Sequence, residues 1–380
     1  MNWRKHLDLA IVALVLFALL AGVYISEKMD NDADDAQAAK SLLNEDGEEI
    51  VLEPAKPSRN LLSWITEEYG NPRQRNRVIP KPFEKGVVHL GESASLGGRR
   101  PFPEDNAWNQ PIADRPVDPM SDILIANIGA DTHVHPDFGA GFWQGAPIGI
   151  PYYVVGKDQP PVEIVYTAYG DQSDPGPYPI PKDAPIEGHP NEDGDRHVII
   201  LDRDNWKLYE LFRAFNVGDG RLWRAESGAV FDLTTNYKRP EGWTSADAAG
   251  LPIFPGLVRY DEVAELKEIK HALRFTVSKT RHAYIPPASH WASDRMDPRY
   301  PPMGMRVRLK ANYDISDFPP HAQVILTCLK KYGMILADNG SDWFISGTPD
   351  PRWDDEAIRT LKQIQGKDFE VVLMEGMVTN

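Results

Sequence analysis

The sequence predicts a mainly β fold, a β-sandwich or jelly-roll-like body with two helices near the C-terminus and long proline-rich loops. Three observations carry this. Proline supplies 33 of 380 residues, about 9% against a usual ~5%, which disfavours an all-helical chain. From residue 106 onward, short β-branched or aromatic runs are separated by Gly, Pro, Asp and Asn, the rhythm of strands and turns. Only two later segments carry both a helix entry and a helix stop.

Before that body lie three segments of different character. Residues 1–30 hold an uncharged run from Leu9 to Ser26, preceded by Arg4 and Lys5 and followed by Glu27, Asp30 and Asp32. The run is near the lower limit for spanning a bilayer and longer than a usual signal-peptide core. Basic residues stay inside, so the segment reads as a membrane anchor or a signal, and the rest of the chain is expected outside the cytoplasm, tethered or secreted. Residues 31–60 read as an acidic flexible linker, residues 61–105 as an irregular arm, and residues 106–380 as a single β-rich extracytoplasmic domain.

Within that domain the clearest pair is His197 to Asp202 with Lys207 to Phe212, joined by Arg203-Asp204-Asn205-Trp206 as a hairpin loop. Further strands are expected at Ile150 to Val155, Val162 to Tyr169, Ala229 to Leu233, Ile269 to Val277, Arg306 to Ala311, Met334 to Ala337, Trp343 to Ser346 and Phe369 to Met374. Alternation in Ile269 to Val277 puts His271, Leu273 and Phe275 on a core face and Lys270, Arg274 and Thr276 on a wet one. Helices are expected at His321 to Tyr332, after Pro319-Pro320 and before Gly333, and at Asp354 to Gln365, before Gly366. The stretch Asp174 to Pro181, with four prolines, must be extended and reads as a stiff crossover loop.

Composition narrows function by exclusion. Forty-one basic against 56 acidic residues give a net charge of −15, and no basic cluster offsets it, so no nucleic-acid partner is expected. The lone Cys328 rules out an internal disulfide and a cysteine zinc site. No glycine-rich phosphate loop follows a strand. No cofactor is expected, and the metal reading is a divalent ion, Zn or Ca. His133 and His135 fall on one side of an extended segment beside Asp137, a partial set for Zn; Asp193-Gly194-Asp195 has a calcium-like look without the full loop.

The chemistry-bearing candidates sit where loops meet strands. Asp195 and His197 end an acidic loop that begins at Glu187 and runs into the best strand, a placement that holds acid-base groups rigidly while leaving solvent access. Asp137 follows the His-x-His pair. Asp338 and Asp342 flank the turn Asn339-Gly340, with Trp343 beside them as an aromatic platform of the kind sugar rings use. Asp137, Asp195, His197 and Asp338 are therefore the catalytic candidates, and Trp343, Asp342, Tyr178 and Trp206 the substrate-binding ones. His271 reads as a core residue.

Several stretches resemble a widespread family of secreted bacterial and fungal proteins of uncharacterised function: His135-Pro136-Asp137-Phe138-Gly139, Asp174 to Pro181, Gly194-Asp195-Arg196-His197, Gly242 to Pro252, Pro302 to Arg306, and Tyr332 to Trp343. The resemblance covers about residues 101–372 and implies export; it assigns no catalytic residue. Taken together, the residues favour a carbohydrate-active enzyme, a polysaccharide hydrolase or lyase, whose partner is a polysaccharide or envelope glycan. A noncatalytic glycan-binding or envelope structural protein is the alternative, and a metal-dependent hydrolase built on His133, His135 and Asp137 is the third. Nothing in the sequence specifies an oligomeric state.

Overall fold

Strand-forming runs dominate the computed structural model, which describes residues 81–191 and 193–379. The anchor, the linker and the first part of the arm lie outside the described residues. No helix among the described residues is long and apolar enough to cross a membrane.

Sixteen strands among those residues form four sheets. In chain order they are β1 (Gly91–Glu92), β2 (His135–Asp137), β3 (Phe142–Trp143), β4 (Ala146–Pro147), β5 (Tyr153–Val155), β6 (Glu163–Tyr166), β7 (Val198–Asp202), β8 (Lys207–Phe212), β9 (Phe215–Val217), β10 (Leu222–Ala225), β11 (Ser227–Asp232), β12 (Leu273–Val277), β13 (Arg306–Leu309), β14 (Met334–Asn339), β15 (Phe344–Ser346) and β16 (Phe369–Val371). Three α-helices accompany them: α1 (Ser121–Ile128), α2 (Pro320–Lys331) and α3 (Asp355–Arg359). The class is thus β-rich, as expected. A five-stranded sheet runs β1-β5-β7-β8-β11, a six-stranded one β16-β13-β14-β12-β15-β2, a three-stranded one β6-β10-β9, and β3-β4 is a separate hairpin. Pairing is mixed: β5-β7, β12-β14, β15-β2 and β6-β10 are parallel.

The period-2 rule explains how the sheets share cores. In β7, Ile199 and Leu201 join a large cluster containing Phe275, Val307 and Leu336 of the six-stranded sheet. Val198 and Ile200 point the other way, into a smaller cluster with Trp223 and Ala225 of the three-stranded sheet. The five-stranded sheet is therefore buried on both faces. The hairpin loop closes locally, because the Asp202 carboxylate accepts from the backbone N–H groups of Asp204 and Asn205 at 3.0 and 2.9 Å.

Three expectations are corrected. The segment from Ile269 is strand only from Leu273, and within that strand the expected wet face is covered: Lys270 before it is exposed, but Arg274 and Thr276 are buried, covered by residues 244–252 and by the turn after β14, whose Ser341 carbonyl accepts from Thr276 Oγ1 at 2.7 Å. The helix expected to reach Gln365 is α for five residues and then tightens into a 3₁₀ turn, Thr360–Gln363. Helix α1 was read as part of the strand-and-loop run. Within the described part of the arm, β1 pairs with β5.

Candidate active site

The six-stranded sheet sets out polar side chains in rows across neighbouring strands. Register places Asp137 opposite Ser346, and the Ser346 hydroxyl oxygen accepts from Arg274 Nη1 at 2.6 Å. The next row along holds His135, Phe344, Thr276 and Asp338. Both rows share one face, because positions two apart in a strand do. Arg274 joins them: its Nη2 also lies 3.3 Å from Asp338 Oδ2.

The Arg274 guanidinium is buried and could not stay so unpaired. Asp247, also buried, accepts from Nε and Nη2 at 2.7 Å each, a bidentate pair. Asp247 is held by its own loop. The Ser245 hydroxyl oxygen accepts from Asp247 N–H at 2.9 Å and donates to the Leu251 carbonyl at 2.6 Å. Gly250, at φ +71°, leaves space that a Cβ would lose to Ser289 Oγ at 2.1 Å. This is why the stretch 242–252 carries a glycine there.

The five-stranded sheet contributes the second buried cation. His197 immediately precedes β7 on the face of Ile199 and Leu201. Its Nδ1 lies 2.5 Å from Glu187 Oε2 and its Nε2 3.1 Å from the Ala246 carbonyl oxygen. Both partners accept, so both ring nitrogens donate and the ring is an imidazolium. Glu187 outweighs burial and pushes the His197 pKa up to about 9. Ala246 and Asp247 are consecutive, so one loop meets both cations.

Carboxyl groups ring this floor. Glu187 is 23% exposed and Asp338 19%, while Asp137 and Asp195 are exposed. Burial, then the Asp247 carboxylate, push the Asp338 carboxyl well above the usual range, against the pull of Arg274, with Asp195 adding to the rise. Asp137 is raised by desolvation at its base and by Glu187, and lowered by Arg274. Beneath the cluster Glu210 on β8 is fully buried; burial raises its pKa to about 7 although the N–H groups of Ile253 and Phe254 donate to it.

The structure thus brings Asp137, Asp195, His197 and Asp338 into one electrostatic cluster. One role changes: His197 has no free nitrogen to accept a proton, so it orients and compensates carboxylates and is no general base. The aromatic candidates stand elsewhere. Trp343 is wholly buried, stacked between Phe275 and Phe369 with its indole N–H donating to the Gly129 carbonyl at 3.0 Å. Tyr178 is also wholly buried, its hydroxyl bonded to the Asp174 carbonyl at 2.9 Å. Trp206 is buried under Arg99, which lies 3.5 Å from its ring centroid. None of these rings offers a face to a substrate. Asp342 instead accepts from Ser278 N–H at 2.7 Å and buttresses a turn.

The paired histidines are engaged separately. His133 Nδ1 donates to the Lys362 carbonyl at 2.7 Å, and His135 stacks on Phe344 with centroids 4.1 Å apart. No group of three or more His, Cys, Asp or Glu among the described residues is arranged to hold a metal ion. His271 is a core residue, bonded to the Ala272 carbonyl and to Glu262 at 2.8 and 2.9 Å. Sequence reasoning passed over Arg274, Asp247, Ser346 and Glu210 as site residues. The available signal was a charged residue in the middle of an apolar strand, which needs a buried partner. Comparison with protein families, with characterised proteins and with solved structures returns no match.

Proposed function

We propose that this chain is an extracytoplasmic glycoside hydrolase acting on a polysaccharide. The observation that carries the reading is a set of carboxyl groups open to solvent over a buried Arg274–Asp247 pair, among them Asp338, which burial and Asp247 push well above the usual carboxyl range. Glycoside hydrolysis asks for such a division of labour: one carboxylic acid protonates the leaving oxygen, and a second carboxylate activates water or attacks the anomeric carbon. Asp338 takes the acid role. Asp137 and Asp195 supply the second group, and Arg274, His197 and Glu187 position them.

Hydrolysis is favoured over lyase chemistry on a uronate chain. A uronate needs a free cation to neutralise its carboxylate, whereas Arg274 and His197 already face Asp247 and Glu187. Further carboxylates would meet repulsion.

Mass spectrometry of products formed by the full chain from a panel of polysaccharides tests the reading. Saturated oligosaccharides are expected, with Asp338→Asn lowering kcat by roughly 10²- to 10⁴-fold. A comparable loss in Asp137→Asn or Asp195→Asn, rescued by azide for a nucleophile, assigns the second carboxylate. Unsaturated ends would redirect the reading to a lyase. Absence of products from every glycan, or an Asp338→Asn variant as active as the wild type, would refute it.

A further inference from the structure

Trp343, Tyr178 and Trp206 are buried and offer no face to a sugar ring, whereas one tryptophan elsewhere stands in water. Trp143 on the β3–β4 hairpin is 70% exposed and its neighbour Phe142 is 48% exposed. Water contact on that scale has no structural benefit for a ring as large as indole, which usually buries most of its surface. The hairpin is short and tightly turned: Trp143 pairs with Ala146 across Gln144 and Gly145, which have φ +49° and +86°. Such a turn presents its side chains on a fixed stalk.

The stalk is held at three places, two of them on segments that carry site residues. It begins shortly after Asp137, and the Asp355 carboxylate holds its base by accepting from Ala140 N–H at 2.8 Å. At its tip the Gln144 carbonyl accepts from Asn191 Nδ2 at 3.3 Å, and Asn191 lies on the loop between Glu187 and Asp195. Beyond its second strand Ile150 N–H donates to the Gly347 carbonyl at 2.9 Å, one residue from Ser346. A groove of about 440 Å³ adjoins the hairpin at Pro147 and is lined also by Pro151, Pro349, Ile186 and Glu187. Prolines and charged groups share its walls, and one of those groups is the Glu187 carboxylate that holds His197.

We infer that the β3–β4 hairpin and this groove form a glycan-binding subsite in which Trp143 stacks on a pyranose ring, and that the glycan is uncharged. This rests on the hydrolase reading for its place in the reaction, while the binding it asserts stands apart from turnover. Charge selects the ligand: three carboxyl residues, Glu92, Asp183 and Glu187, line the groove with Lys182 and His189. The excess of carboxyl groups disfavours a polyuronate. A neutral pyranose offers an apolar face to indole and hydroxyls to the carboxylates, which need donors.

Binding of neutral and uronate-containing oligosaccharides to the full chain, followed by calorimetry, tests this with Trp143→Ala and Trp143→Phe. A neutral oligosaccharide is expected to bind, with about tenfold weaker affinity in Trp143→Ala, corresponding to 1.4 kcal/mol, and intermediate affinity in Trp143→Phe. An unchanged thermal midpoint in both variants is expected for so exposed a position. Equal affinity in Trp143→Ala, binding of uronate chains alone, or binding of no oligosaccharide would overturn the inference. Trp143-dependent binding without any bond cleavage would leave the subsite standing and remove the hydrolase reading.

Discussion

Asp247→Asn tests the central electrostatic claim, because it removes one charge while keeping size and shape. Asp247 now accepts from Arg274 Nε and Nη2 at 2.7 Å each, and both side chains are buried. Asparagine presents one acceptor oxygen and one amide nitrogen, so one guanidinium N–H then faces an N–H. Removing one partner of a buried ion pair costs about 3 to 5 kcal/mol. Asp338 at 3.3 Å remains to share the charge, which favours the low end, about 3 kcal/mol. That is a large part of the usual 5 to 15 kcal/mol of folding stability.

Urea denaturation at pH 7 measures this directly. A carboxyl titration followed by carbon NMR supplies a second readout. Asp247 is the strongest charged influence raising Asp338, so in Asp247→Asn the Asp338 pKa is expected to fall, taking the acid-catalysed activity at neutral pH with it. Adding Arg274→Met to Asp247→Asn removes the orphaned charge and should restore part of the lost stability, giving a coupling well above the few tenths expected of independent sites. A loss below about 1 kcal/mol in Asp247→Asn, with Asp338 unmoved, would refute the argument, because Arg274 would then be neutralised without Asp247.

Other expectations follow from the same geometry. The folded-state pKa of His197, raised to about 9, means its contribution is complete below its unfolded value of about 6.5 and is lost as pH rises through 9; the size is about 3 kcal/mol, and Glu187→Gln should flatten that limb of a stability-versus-pH curve. Glu210 is likewise raised, to about 7, so its protonated form favours the fold, and Glu210→Gln should be neutral near pH 4 yet more stable than the wild type at pH 8, by up to about 3 kcal/mol. Equal stability at both pH values would sink that account. Trp343→Ala should cost about 3 to 5 kcal/mol by leaving a cavity between Phe275 and Phe369, whereas Trp143→Ala should fall within about 0.5 kcal/mol of the wild type; calorimetric unfolding distinguishes them.

Features closed by neighbouring residues were readable before the structure. The β7–β8 hairpin has its own Asp202 caps, and α2 has Pro320 in its first turn and Gly333 just beyond, at φ +64°, so local chemistry decided both. The acidic candidates were readable for the same reason: Asp137, Asp195 and Asp338 each sit where a strand meets a turn. Arg274 was misplaced because alternation reports only that a strand has two faces. What covers the second face is a loop 27 residues earlier in the chain and a serine 72 residues later, and no local pattern encodes that meeting. The two tryptophans illustrate the limit. Trp343 follows Asn339-Gly340 and Trp143 precedes Gln144-Gly145, similar settings in sequence. Tertiary packing buries the first between two phenylalanines and leaves the second in water.

The charge inventory explains why the acid and the scaffold are one device. Asp137, Glu187, Asp195, Asp247 and Asp338 meet two buried cations, Arg274 and His197, and like charges in a poorly solvated site cannot all be ionised. Geometry decides which group keeps its proton. Asp247 holds two short bonds to Arg274 and Glu187 holds the His197 ring nitrogen at 2.5 Å, so these two own the cations. Asp195 and Asp137 are exposed. Asp338 has the longer 3.3 Å contact to a guanidinium already claimed by Asp247, beside a bond from Asn339 N–H, and burial and Asp247 push its carboxyl well above the ordinary value. Its acidity is therefore set by residues that never touch a substrate: loosening Asp247 or discharging His197 redistributes the proton. The loop 244–252, which meets both cations through Ala246 and Asp247, is accordingly the element whose rigidity the chemistry depends on.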